Sequence, residues 1–105
     1  MTTRELQDYM HIYSMFSFQD GRKEPGICIN KYNLATAQIE FYFIPQINMQ
    51  AHKTAFERYD KETCMRLSTL LKPEELVCIR AVSLSDYKVI MQLMDERNQL
   101  INYNK

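Results

Sequence analysis

"LKPEELVCIRAVSLSDYKVI", residues 71–90, is the stretch on which the fold turns. Pro73 in a first helical position, followed by Glu74 and Glu75 where carboxylates meet the positive end of a helix dipole, reads as a helix start. The residues that follow are β-branched and alternate, Val77, Ile79 and Ala81 against Cys78, Arg80 and Val82, which is the period of a strand. The sequence leaves residues 76–84 open between strand and helix. Beyond them Ser85 is a good N-cap with Asp86 in the first turn. Ile90, Leu93, Met94, Arg97, Leu100 and Ile101 then fall on one stripe, which predicts an amphipathic C-terminal helix.

Upstream, apolar positions Phe56, Tyr59, Thr63, Leu67, Leu70 and Leu71 follow a 3.6-residue period with charges elsewhere on the cylinder, predicting a long central helix over residues 48–71. Asp60, a good capping residue followed by Lys61 and Glu62, is the point at which that helix would break in two. "ICINKYN" and "QIEFYFI", joined by the short "LATA", predict an antiparallel hairpin. In its second strand Ile39, Phe41 and Phe43 face one way and Glu40, Tyr42 and Ile44 the other, the pattern of a half-buried strand that Pro45 ends. "QDGRKEPG", residues 19–26, concentrates two glycines, a proline and charges, and reads as a loop. At the N-terminus Thr2 and Glu5 have capping-box spacing. Leu6, Tyr9, Met10, Tyr13 and Phe16 continue at helical intervals, so a helix is expected over residues 4–15, although "MHIYSMFSF" also fits period two.

These elements predict a single α+β domain over residues 1–105: an N-terminal helix, an antiparallel β-hairpin, a long central helix and a C-terminal amphipathic helix. The bulk properties agree with one folded domain. At 105 residues, 46% hydrophobic and 25% charged, the chain has the length for one core and a composition far from that of disordered chains. Thirteen basic side chains balance thirteen acidic ones, so no net field would draw the chain to nucleic acid or an anionic membrane. Three widely spaced cysteines make no disulfide framework, which points to a reducing, cytoplasmic setting. No window is apolar for the roughly 18 residues that a membrane span requires.

"PEELVCIRAVSLSDYKVIMQLM", residues 73–94, resembles the first two helices of phage-repressor-type helix-turn-helix domains. The resemblance implies a recognition helix downstream, and within residues 83–105 only Arg97, Asn98, Gln99, Asn102 and Lys105 are candidate readers. The usual turn glycine is absent, and the balanced charge gives little phosphate affinity. Cys28, Cys64 and Cys78 lack the close pairing of a zinc site, and His11 and His52 stand apart, so buried inert thiols are the expectation. Glu74–Glu75 and Asp95–Glu96 are sequence neighbours that do not face each other on a helix, and "DGRKEPG" has no strand-to-helix frame for a phosphate.

What stands out is the aromatic and sulfur content: seven tyrosines, five phenylalanines and seven methionines. Tyrosine and methionine are residues that binding surfaces favour. Tyr9, Tyr13, Tyr32 and Tyr42, with Arg22 and Lys23 of the charged loop, are therefore the expected partner-binding residues. Ile90, Leu93, Met94, Arg97, Leu100 and Ile101 are the expected dimerisation stripe. The sequence points to a non-catalytic protein–protein interaction or regulatory module, homodimeric, without cofactor or metal, of the kind frequent among mobile-element and virus-encoded regulators. The alternative is a nucleic-acid-binding regulator using residues 83–105.

Overall fold

In the computed structural model, which describes residues 1–82, the stretch that decides the fold is a strand. Pro73–Glu75 is a single 3-10 turn, and the strand β5 runs from Leu76 to Ala81. It completes a five-stranded antiparallel sheet with β1 (Ser14–Phe18), β2 (Lys23–Asn33), β3 (Gln38–Pro45) and β4 (Thr69–Leu71), in the order β4-β3-β2-β1-β5. The helices are short: α1 (Thr3–Gln7), α2 (Gln46–Glu57) and α3 (Lys61–Arg66). The expected arrangement of an N-terminal helix, a hairpin and a long central helix is thus replaced by a sheet-dominated fold. The C-terminal helix, its stripe Ile90, Leu93, Met94, Arg97, Leu100 and Ile101, and the nucleic-acid reading of residues 83–105 lie outside the described residues.

Each correction has a local cause. The capping box at Thr2 and Glu5 forms, with the Glu5 amide donating to the Thr2 hydroxyl at 3.1 Å, but it starts only a five-residue helix. His11, at φ 61°, turns the chain out of helical geometry, and the alternation in "SMFSF" then decides for strand because Ser14, Phe16 and Phe18 are all buried on one face. The central segment breaks at Tyr59, which has φ 58°, and Asp60 caps α3 by accepting from the Thr63 amide at 3.1 Å. Its last residues leave the helix to become β4, where Leu71 pairs with Phe41. The hairpin is present as expected, with β2 and β3 in register from Gly26 opposite Pro45 to Asn33 opposite Gln38. Lys23, Glu24, Pro25 and Gly26 belong to β2, so the expected loop shrinks to a turn around Asp20 and Gly21.

The sheet must curl. β4 and β5 are its two edges, and only residues 72–75 join them. Four strand spacings of a flat sheet amount to about 19 Å, whereas the five Cα–Cα steps from Leu71 to Leu76 reach at most about 18 Å when fully extended. Bending brings the edges toward each other, and Leu71 and Leu76 accordingly share one buried cluster with Phe16, Phe18, Cys28, Phe41, Phe43 and Ile79. Phe43 is its centre, with ring centroids 4.8 Å from Phe16 and 5.6 Å from Phe18. Such aromatic pairs add about 0.5–1.5 kcal/mol each beyond their burial. Gly26 makes room for this ring: a Cβ there would lie 2.7 and 2.8 Å from two Phe43 ring carbons. Leu6 of α1 seals the inner face, with Met1, Tyr9 and Met10 packed beside it.

The outer face of β2 and β3 carries Ile27, Ile29, Lys31, Glu40, Tyr42 and Ile44, by the alternation of the paired strands. Phe41, Tyr42, Phe43 and Ile44 are all buried, so β3 is covered on both faces there rather than on one. The outer cover is α2, which follows β3 without a loop because Pro45 is at once the last strand residue and the helix N-cap. Among the described residues no helix is long and apolar enough to cross a membrane.

Candidate functional site

The outer cover is incomplete, and it leaves a concave surface between α2, α3 and the sheet. Against the sheet α2 buries only His52 and Ala55, a medium and a small side chain three positions apart on one helical face. They are too small to fill the space over Ile27, Ile29, Tyr42 and Ile44. Two adjoining cavities result, of about 340 Å³ and about 560 Å³, which share Ile29, Asn30, His52 and Phe56 in their walls. The first runs under the α2–α3 elbow to Tyr59, Cys64 and Met65. The second opens toward His11 and Met49. Together they make one groove, long in the direction of β2 and almost wholly apolar.

Its rim is aromatic and exposed. Phe56 is 70% exposed and Tyr59 is 90% exposed, the reverse of the buried stripe that helical periodicity assigned them. Two of the non-glycine residues with positive φ line the groove, Tyr59 in the wall of the first cavity and His11 in that of the second. A bulky residue in left-handed geometry is a local cost that tends to accompany function.

The polar groups are few. His52 is only 9% exposed, and burial lowers its pKa from 6.5, which keeps the imidazole neutral near pH 7. Tyr42 has its phenol pushed above the usual range, first by burial and then by the neighbouring Glu40 carboxylate, to which it donates at 3.2 Å. The Asp60 carboxyl is held below its usual range by the Thr63 hydroxyl, at 2.6 Å, and by the Thr63 amide. Cys64 shares the groove with His52, but its thiol sits 3.9 Å from the His52 main-chain carbonyl, and no thiol–imidazole hydrogen bond is formed among the described residues. Cys28 lies on the opposite face, where burial pushes its thiol up to about 12. Among the described residues no group of three or more His, Cys, Asp or Glu is placed to hold a metal ion. The arrangement is suited to holding an apolar group.

The residues expected from sequence to bind a partner do not form one patch. Tyr42 lines the groove. Tyr32 is exposed at the far end of the hairpin, opposite Ile39. Arg22 and Lys23 stand at the other end of β2; Arg22 pairs with Asp20 at 2.7 Å and stacks over Phe18, 4.7 Å from its ring centre. Nine strand positions separate Lys23 from Tyr32, about 30 Å. Tyr9 packs against the inner core, and the Tyr13 carbonyl accepts from the Val82 amide at 3.3 Å. Sequence reasoning did not single out His52, Phe56, Tyr59 and Met65 as site residues. The available signal was Asp60: a cap in mid-helix implies an elbow, and an elbow turns the aromatic residue before it outward.

The chain matches no family model, no curated protein and no solved structure, so the functional reading rests on this geometry.

Proposed function

We propose that the protein is a non-catalytic binding module, a protein-interaction or regulatory component, whose working surface is the apolar groove between the β2–β3 hairpin and the α2–α3 elbow. The observation that carries this reading is the pair Phe56 and Tyr59: two large aromatic rings held in solvent at the lip of a concave apolar surface. Exposed aromatics around a pocket are typical anchors of recognition, because they bring much contact area and lose little rotamer freedom on binding.

The test is quantitative mass spectrometry of proteins captured from lysate of the source cell by the immobilised wild type and by Phe56→Asp. A contact centred on the groove predicts at least one partner whose recovery falls tenfold or more in the variant, a loss of about 1.4 kcal/mol or more. Capture unchanged in Phe56→Asp would place the working surface elsewhere.

A further inference from the structure

The groove floor carries a group that a packing surface has no use for. His52 faces both cavities, is nine-tenths buried, and its ring forms no hydrogen bond among the described residues. A neutral imidazole offers one donor and one acceptor to whatever enters the groove. Around it the charges are unevenly matched. Lys31, Lys53 and Lys61 line the cavities, and no salt bridge among the described residues engages them. The Lys31 ammonium lies 3.9 Å from the Met65 sulfur. Asp60, the carboxylate in the same walls, is already engaged by Thr63.

We infer that the groove binds a small amphiphile, an apolar chain or ring ending in a carboxylate. The chain lies on Ile29, Phe56 and Met65, the head accepts a hydrogen bond from His52, and Lys31 and Lys61 supply the opposing charge. Both cavities have the size of small-molecule sites, which are mostly apolar with a few convergent polar groups. The inference deepens the reading of the groove as the working surface and rests on it.

Amide chemical-shift titrations of the full chain with octanoate, 1-octanol and octylammonium, each below its critical micelle concentration, test it. Octanoate should shift amides around the groove and bind about tenfold more tightly than octanol, the gain of a charge-assisted hydrogen bond. The double variant Lys31→Met, Lys61→Met, both surface positions, should erase that advantage, so that octanoate binds no more tightly than octanol. His52→Phe should weaken octanoate severalfold. Octanol equal to octanoate, or octylammonium tighter than either, would overturn the carboxylate assignment. Absence of binding by all three would overturn the small ligand altogether. If Phe56→Asp then still abolished protein capture, the groove would stand as a protein contact alone; if it did not, both readings would fall.

Discussion

Replacing Tyr59 with asparagine should make the protein more stable and a poorer binder at the same time. Tyr59 sits at φ 58°, where the Cβ of an L-residue crowds the following carbonyl at a cost of about 1–2 kcal/mol. Its side chain is 90% exposed, so burial offsets almost none of this. Asparagine tolerates the left-handed region because its short amide bonds locally, and it follows helix ends in this geometry as tyrosine rarely does. Recovering part of the cost gives a net gain of about 0.5–1 kcal/mol. For a domain of this size that raises the melting temperature by about 2–6 °C. Thermal unfolding followed by far-ultraviolet circular dichroism measures it, with Tyr59→Phe as the control that keeps the strain and should leave the midpoint in place. Partner capture should fall with the asparagine variant, since the ring is gone. A midpoint that is unchanged or lower in Tyr59→Asn refutes the argument, because it would mean that the ring is held for packing rather than displayed at a cost.

Other consequences are as direct. Gly26→Ala forces a methyl into the Phe43 ring and the Ile44 carbonyl and should destabilise by about 2–3 kcal/mol in urea unfolding, the scale of core overpacking. Gly21→Ala meets nothing within 4 Å but keeps φ 93°, and should lose only about 1 kcal/mol; equal losses would contradict the steric account of Gly26. Because burial lowers the His52 pKa below 6.5, the unfolded chain binds the proton more readily, so the stability from this residue is full above pH 6.5 and is lost as pH falls toward the folded value. His52→Gln should flatten that first decline, and leave the later one, as pH falls below 3.8, that belongs to the depressed carboxyls of Asp20 and Asp60. Iodoacetamide at neutral pH should label exposed Cys78 and spare Cys28, whose thiol is pushed up to about 12; modification of Cys28 in the native state would contradict its place in the core.

The hairpin was legible because both of its signals, β-branched alternation and a short connection, act between neighbours in sequence. What misled was spacing that two structures share. Leu76 and Ile79 are three residues apart, as on a helix face, yet both lie on the inner face of the sheet because the register slips by one between Ser17 and Phe18, placing Leu76 opposite Phe18 and Cys78 opposite Ser17. A bulge of this kind turns a period of two into a step of three, and only the partner strand reveals it. Leu70 and Leu71 likewise ended a helical stripe until pairing with Tyr42 and Phe41 claimed them. The site was less legible than the fold. The groove depends on which residues of α2 face the sheet, and the buried pair His52 and Ala55 is not the most hydrophobic face of that helix, so a rule that sends apolar residues inward chose Phe56 and Tyr59 instead.

That inversion bears on why residues 46–68 take the path they do. β3 and β4 are adjacent antiparallel strands, and such neighbours need only a turn between them. The chain instead lays two helices over the outer face of the sheet. If their purpose were to complete a core, the larger apolar side chains would point inward and the space above Ile29 and Tyr42 would be filled. Ile47, Phe56, Tyr59 and Met65 are instead exposed, the fully buried positions of α2 hold a histidine and an alanine, and α3 has no fully buried residue. The helical excursion contributes little to the core, which lies on the other face. What it does contribute is a wall, an aromatic lip and a single buried imidazole facing a gap. Long connections between strands that a turn could join are commonly where function resides, and here the connection and the groove are the same piece of chain.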